Sequence, residues 1–263
     1  MMPNFQVVSH ERHGHKGWLR YTSYAFAMRE TVLPLTLAEL PKAMMSLPIA
    51  FIEQAGVFQP VAVMGLQPAQ NLFVAPDGRW VHGYVPAACR GYPFRIGHTP
   101  EGGQVLCVDE DSGLLVDAPD GEGFFAEDGK PAASLQQVID FLLATEQSRT
   151  QTAAAVAVLQ AKQLLKPLPL VLRSEAGDQA VAGLFQLDEE ALNALSPDDL
   201  AAVRDVGGLV AAYCQLLSLQ HLSVLGQLAE AQAKAAAAQV ASAPALGADT
   251  LVAGDTLNFS GFR

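Results

Sequence analysis

The sequence is short of charge and of cysteine. Only 16% of its 263 residues are charged, and 27 acidic against 16 basic residues give a formal net charge of −11. An acidic surface repels nucleic-acid backbones and anionic lipid headgroups, so we expect neither as a partner. The cysteines, Cys89, Cys107 and Cys214, lack the spacing of a disulfide framework or a metal knuckle, which predicts buried thiols in a reducing cytoplasm.

Targeting and catalytic motifs are also missing. No run of about 18 uninterrupted apolar residues predicts a membrane span, and the first residues lack the basic start and apolar middle of a secretory signal. There is no G-x-S-x-G elbow, P-loop, G-x-G-x-x-G or H-E-x-x-H motif. We therefore expect a cytoplasmic protein with no cofactor and no identifiable catalytic residue, although an enzyme with a less familiar site stays open.

Apolar residues are what the chain has in quantity. They make up half of it, which is enough for a substantial buried core. Residues 1–130 are predicted to be rich in strands, because 48–65 contains two apolar segments around Gly56 and short strands are expected near 93–97 and 104–108.

Two further segments of this half carry turn or loop signals. The sequence Pro76-Asp77-Gly78 predicts a hairpin turn that sets Ala75 opposite Trp80 and Phe73 opposite His82. Residues 109–128 carry eight carboxylates and no Lys or Arg, which is typical of a loop. We interpret this acidic stretch as the seam between two halves.

Residues 131–230 are predicted to be mainly helical, with a β-hairpin inserted at 168–188. Ser134 and Gln137 suggest a capping box at the start of a long helix with a break around 148–152, and Ser196-Pro197 suggests another helix start. Residues 231–263 are predicted to be an Ala/Gln-rich helical extension and a flexible tail. The expected fold is α+β, with a β-rich N-terminal half packed against the helical half; the C-terminal helices are a candidate homo-oligomer contact.

A histidine-rich segment, "HERHGHKGW" (10–18), is the first candidate for chemistry. His10, His13 and His15 have spacings that can ligate a metal on a bent loop, but nothing nearby beyond Glu11 completes a site. A polar loop with one structural histidine is therefore the favoured interpretation. A metal-dependent enzyme that uses His13 and His82 with the carboxylates of Asp109, Glu110 and Asp111 is the alternative.

A second candidate is the segment 79–98, which interleaves basic and aromatic residues without any acidic one. Such a surface can hold a carboxylate or phosphate, stack a sugar ring or bind a peptide side chain. The predicted ligand-binding residues are Arg79, Trp80, His82, Tyr84, Arg90, Tyr92 and Arg95. In the competing interpretation, the more common one for hairpin aromatics, the rings belong to the core and the arginines pair with the acidic stretch 109–128.

Four segments resemble the bacterial SapC family, in order, over most of residues 4–228: "LPIAFIEQAGVFQPVAVMGLQPAQNLFV" (47–74), "DGRWVHGYVPAACRGYPFRI" (77–96), "GLFQLDEEALNAL" (183–195) and "YCQLLSLQHLSVL" (213–225). The resemblance implies an accessory protein associated with bacterial surface-layer genes, and it transfers no reaction and no catalytic residue. His13 lies where the family has a histidine. We expect a non-catalytic cytoplasmic accessory protein that binds a peptide or protein segment, or second a glycan.

Overall fold

The computed structural model describes residues 3–174 and 177–242, with side chains placed outside 172–179 and 236–242. The strands are β1 (Phe5–Val7), β2 (Lys16–Trp18), β3 (Val32–Pro34), β4 (Ile49–Gln54), β5 (Val57–Val63), β6 (Phe94–His98), β7 (Gln104–Asp109), β8 (Leu115–Asp117), β9 (Glu122–Gly123), β10 (Leu165–Pro167), β11 (Leu170–Ser174), β12 (Gly177–Val181) and β13 (Leu184–Leu187). The α-helices are α1 (His10–His13), α2 (Leu40–Ala43), α3 (Ala87–Arg90), α4 (Ala133–Ala161), α5 (Glu189–Asn193), α6 (Pro197–Asp205), α7 (Gly208–Ser218) and α8 (Leu222–Ser242). The predicted α+β class is confirmed.

The largest sheet has five antiparallel strands in the order β10-β13-β4-β5-β3. Its central hairpin, β4–β5, turns at Ala55 and Gly56, whose φ angles of 51° and 82° both lie in the left-handed region that a tight two-residue loop requires. This confirms the strand pair predicted around Gly56. Strands from before and after residue 130 share this sheet, while the segment boundaries proposed at 130 and 230 stay a prediction.

Two further sheets have three strands each, in the orders β1-β7-β6 and β8-β2-β9, and β11 and β12 form a separate two-stranded sheet. The strands expected near 93–97 and 104–108 are confirmed as β6 and β7. The acidic stretch is more than a loop, because β8 and β9 pair with the two edges of β2. Gly17 permits this close approach: a Cβ there would lie 2.7 Å from the carbonyl oxygen of Asp120.

Helix α4 runs unbroken for 29 residues, which contradicts two details of the prediction. It begins without a side-chain cap, so Ser134 is not the capping residue. The predicted break is also wrong, because the hydroxyls of Ser148 and Thr152 are used in tertiary hydrogen bonds. They accept from the backbone N–H groups of Ala38 and Leu37 at 3.2 and 2.8 Å, so polar side chains do not interrupt the helix.

The remaining predicted elements are largely confirmed. Ser196 caps α6 with Pro197 at its first position, and β11 pairs with β12 as the inserted hairpin. Residues 175–176 of the predicted hairpin turn and the tail 243–263 lie outside the described residues. The cysteines are buried free thiols, and burial raises the pKa of Cys89 to about 12.

A helical stretch formed by α7 and α8, Gly208–Ala235, has the length and apolar composition of a membrane span, with a mean hydropathy of 1.3 in its most apolar window. Of that window, 39% is buried inside the protein. Helix α7 contacts α2, α4, α6, β4 and β13, and its Ala211 and Ala212 are fully buried.

Buried apolar side chains form two clusters. The main core cluster lies around the five-stranded sheet, α4 and α7, and includes Phe51, Phe73, Leu159 and Leu225. The second core cluster consists of Trp18, Phe94, Val108, Phe124, Leu135 and Leu142. Helix α4 contributes to both clusters, so it joins the sheet of the main cluster to the strands of the second.

Candidate functional site

The three histidines of the N-terminal segment have different environments. His13 is fully buried, its Nδ1 accepts the backbone N–H of Ser9 at 3.3 Å, and its ring lies 5.1 Å from that of Phe124. Burial lowers the pKa of His13, an effect that outweighs the opposing charge of Glu110. His10 and His15 are exposed. The segment is thus a helical turn with one buried histidine.

Two of the three carboxylates of the enzyme alternative, those of Asp109 and Glu110, are engaged in structural contacts, and Asp111 is exposed. Glu110 accepts two hydrogen bonds from Arg12, at 2.6 and 2.7 Å, and its Oε1 lies 3.3 Å from Nε2 of His13. Asp109 is buried and accepts the backbone N–H groups of Asn4 and Asp111.

His82, the other histidine of that alternative, is exposed. Its ring lies 6.2 Å from the ring of Phe73, which belongs to the main core cluster. Across residues 3–174 and 177–242, no three His, Cys, Asp or Glu side chains come together as a metal-binding group.

The turn at residues 76–78 has a different register from the predicted one. Val74, not Ala75, lies opposite Trp80, and the Ala75 N–H donates to the carbonyl of Arg79. The loop therefore has three residues, with Gly78 at a φ of 83°. A Pro-Asp-Gly sequence is compatible with loops of two or three residues, which is why the sequence did not fix the pairing.

Three of the predicted ligand-binding residues are engaged with one another or with the turn. Arg79 pairs with Asp77 at 2.7 Å, and Trp80 Nε1 donates to the carbonyl oxygen of His82 at 2.8 Å. Arg95 is separate from them, since its guanidinium carbon lies 3.6 Å from the ring centroid of Phe5.

Arg90 is the exposed end of a hydrogen-bond network that leads through Tyr84 to the buried Glu39. Its Nη2 donates to the Tyr84 hydroxyl at 2.8 Å, and that hydroxyl donates to Oε1 of the buried Glu39 at 3.2 Å. The guanidinium also lies 5.4 and 5.0 Å from the ring centroids of Tyr84 and Phe141. Burial, followed by the charge of Glu39, raises the pKa of Tyr84 to about 12. Arg90 is fixed in place, yet 41% of its side chain stays exposed.

A cavity of about 340 Å³ opens beside Arg90, where residues of the second core cluster meet Tyr24, which packs on the main cluster. Its lining residues are Trp18, Arg20, Tyr21, Tyr24, Arg90, Gly91, Tyr92, Phe94 and Val138. Of the seven predicted residues, the structure brings Arg90 and Tyr92 into this lining. Tyr84 is not in the lining, but its hydroxyl accepts a hydrogen bond from Arg90. Arg79, Trp80, His82 and Arg95 are outside it.

The walls of the cavity are mostly aromatic. Tyr92 stacks on Phe26 with ring centroids 3.8 Å apart and an angle of 10°, and Tyr21 meets Tyr24 and Tyr92 edge-on at 5.3 and 6.3 Å. Burial raises the pKa of both Tyr21 and Tyr92, so their hydroxyls stay protonated at neutral pH and can donate hydrogen bonds. Trp18 packs edge-to-face on Phe94 at 5.0 Å.

The sequence prediction missed the part of the cavity that comes from residues 18–26, "WLRYTSYAF". This segment has four aromatic residues and one arginine in nine positions, the same composition that singled out 79–98. Arg20 donates to Glu122 at 2.6 and 3.3 Å. The prediction that the arginines of 79–98 pair with the acidic stretch is wrong for Arg79 and Arg90, which pair with Asp77 and Glu39. The arginines that pair with the acidic stretch are Arg12 and Arg20.

A family model described as SapC matches residues 8–225, a range that includes every residue lining the cavity. Searches of the curated proteins and of the solved structures found no match.

Proposed function

The chain belongs to the SapC family, and from that premise we propose that it is a non-catalytic binding protein that serves as an accessory to another protein in the cytoplasm. Its recognition site is the cavity beside Arg90. A peptide or protein segment is the ligand, and a glycan is the competing ligand class. The single observation behind the proposal is the cavity itself, a concave aromatic surface with a fixed, partly exposed guanidinium.

Three physical properties support this site. Ligand sites are usually concave pockets in which aromatic side chains surround a few placed polar groups, and the volume of about 340 Å³ lies at the small end of their range. Arginine and tyrosine are enriched among the residues that dominate binding energy. The network of Tyr84 and Glu39 holds Arg90 in one position before a ligand arrives, which reduces the entropy lost on binding.

The proposal is tested by partner capture with the full-length protein and two matched variants. Val138→Trp fills the cavity from α4, whereas Leu143→Trp adds the same side chain at an exposed position on α4 outside the lining. We expect wild type and Leu143→Trp to retain the same partner from native lysate and Val138→Trp to lose it, with all three melting at similar temperatures. Equal capture by both variants would reject the cavity as the recognition site.

A further inference from the structure

The charged side chains of the cavity lining are all cationic. Arg20, Arg90 and Trp18 carry only donors in their side chains, and burial raises the pKa of Tyr21 and Tyr92, so the hydroxyls of these two residues can donate as well. None of the nine lining residues is acidic. A site with two guanidinium groups and no carboxylate in its lining favours a group that is rich in acceptors and negatively charged, because a cation would be repelled by the guanidinium groups and would meet no opposite charge there.

We infer that the cavity binds a single carboxylate of a peptide, with an adjacent aromatic side chain lying against the tyrosines. The inference rests on the proposed binding function and specifies the ligand of the same site.

Arg90 supplies the contact to the carboxylate. Among its nitrogens, Nη2 donates to Tyr84, and within the described part of the chain no other hydrogen bond of this guanidinium is present. The Glu39 oxygen is 3.8 Å away, beyond hydrogen-bond distance, and is itself occupied by Tyr84 and by the backbone N–H of Ala87 at 2.6 Å. The guanidinium thus retains donors on a partly exposed side chain, which suits a carboxylate.

Trp18, another residue of the lining, carries a buried donor. The indole Nε1–H of Trp18 is buried and has no acceptor within residues 3–174 and 177–242. An unsatisfied buried donor costs about 1–3 kcal/mol, so native structures seldom keep one without a reason. Trp18 is also one of only two tryptophans in the chain, which makes it an optical reporter at the cavity.

The surrounding charge argues for one carboxylate over a phosphate. The chain carries a net charge of −11, and Arg20 is already paired with Glu122. A doubly charged phosphate would be repelled more strongly by the acidic chain than a single carboxylate, whose one negative charge is matched by Arg90, the lining arginine that is not hydrogen-bonded to a carboxylate. The small volume admits one residue and its flanking backbone, while the aromatic walls favour an aromatic ring packed edge-to-face or offset.

The test uses the full-length protein with Trp80→Phe, so that Trp18 is the single tryptophan. Trp18 fluorescence is titrated with N-acetyl-phenylalanine, its neutral amide, N-acetyl-glutamyl-phenylalanine amide and glucuronic acid, and calorimetry on the unsubstituted chain checks the order of affinities. We expect the free acid to bind with a dissociation constant on the order of 1 mM, typical for so small a ligand, and the neutral amide at least tenfold more weakly. The glutamyl peptide shows whether a side-chain carboxylate replaces a C-terminal one.

Matched variants separate charge from folding. Arg90→Ala should weaken the acid at least tenfold and leave the amide unchanged, whereas Arg79→Ala and Arg95→Ala, both outside the lining, should stay within twofold of the parent. Because Arg90 also contacts Tyr84, a second pair avoids its network: Val138→Asp places a carboxylate in the cavity, and Val138→Asn is its neutral equivalent. Only the Asp variant should lose binding of the acid.

Equal binding of acid and amide, or no difference between the Asp and Asn variants, would overturn the carboxylate assignment. Tighter binding of glucuronic acid than of both carboxylate peptides would replace the peptide by a glycan. In either case the capture experiment decides the wider function separately: a partner that is still lost in Val138→Trp keeps the cavity as the recognition site and rejects only its ligand class.

Discussion

At the scale of single residues, the buried carboxylate of Glu39 organises the surroundings of the site. It accepts hydrogen bonds from the backbone N–H and hydroxyl of Thr36, from the Tyr84 hydroxyl and from the backbone N–H of Ala87. These contacts tie the start of α2 to the start of α3 and hold the tyrosine to which Arg90 binds. Removing the carboxylate leaves several buried donors without an acceptor.

We therefore expect Glu39→Ala to lower the free energy of unfolding by about 3 kcal/mol, since buried donors that lose their partner each carry a desolvation cost. Urea denaturation followed by circular dichroism measures this change. Glu53→Ala, at an exposed position on β4, is the control and should alter stability by less than about 0.5 kcal/mol. A loss at Glu39 no larger than at Glu53 would contradict the proposed network.

The buried His13 predicts a pH dependence with a definite sign. Its pKa is lowered in the folded protein, so the unfolded chain takes up a proton at a pH at which the folded chain does not. Above the ordinary histidine value of about 6.5 both states are neutral, and stability falls as the pH drops from there towards the folded pKa. His13→Gln should flatten the melting temperature between pH 6.5 and 5, while His15→Gln, at an exposed position, should leave the slope unchanged. An identical slope in His13→Gln would refute this assignment.

At the scale of elements, α4 stabilises a loop that it does not follow in sequence. Thr152 and Ser148 accept the backbone N–H groups of Leu37 and Ala38, which precede α2, and Thr152 donates to the Ser148 carbonyl. These hydroxyls explain why polar residues lie on a buried face of the helix. They also fix α2, whose neighbouring Glu39 supports the cavity.

Thr152→Val retains the shape of the side chain and removes the acceptor, so we expect a loss of about 1–3 kcal/mol in the free energy of unfolding. Thr150→Val is a matched control on the exposed side of α4 and should change stability by less than about 0.5 kcal/mol. Chemical denaturation of both variants gives the comparison. Equal effects would show that the buried hydroxyl does not support the loop before α2.

Elements with a strong periodic pattern could be predicted from the sequence, and those made by tertiary contacts could not. The strands β4, β5, β6 and β7 and the start of α6 follow from local apolar patterns and capping residues. The strands β8 and β9 are short and acidic, and they form only because β2 offers both of its edges beside Gly17. The uncapped start of α4 likewise leaves no signal in the local sequence.

The candidate site shows the same division. Composition singled out the segment that supplies Arg90 and Tyr92 to the cavity lining, and the family resemblance singled out His13, the histidine that the structure buries. Composition could not show that residues 18–26 lie beside residues 90–94 in the fold. These two segments are about 70 positions apart, and their contact depends on the packing of β2 and β6 against α4 in the second core cluster. Nor could composition show that the polar groups of Trp80 and Arg79 contact the turn itself, at the carbonyl of His82 and the carboxylate of Asp77.

At the scale of the whole molecule, a buried glutamine joins strands from the two halves of the chain. Gln215 on α7 accepts the backbone N–H of Leu187 on β13 at 2.9 Å and donates to the carbonyl of Ile49 on β4 at 3.3 Å. Helix α8 is held in a similar way, since Gln232 donates to the carbonyls of Leu72 and Val74. The helical half is therefore hydrogen-bonded to the five-stranded sheet and to the segment that follows β5.

Self-association through the C-terminal helices stays a prediction, for which α7 offers a surface. Its side chains Val210, Tyr213 and Leu217 are exposed and lie on one face at spacings of three and four residues. We expect light scattering to give twice the chain mass of 27.8 kDa for wild type and a single mass for Leu217→Glu. Leu143→Glu on α4 is the control and should stay at the wild-type mass; a wild-type monomer would reject the prediction.

The central claim is that the protein recognises its partner through the cavity beside Arg90. Hydroxyl-radical footprinting by mass spectrometry tests it most directly, because tyrosine side chains report their own exposure. With the captured partner bound, we expect Tyr21, Tyr24 and Tyr92 to be protected from oxidation and the oxidation of Tyr213 on α7 to stay unchanged. Protection of the turn around Trp80 or of α7, with the three cavity tyrosines unchanged, would contradict it.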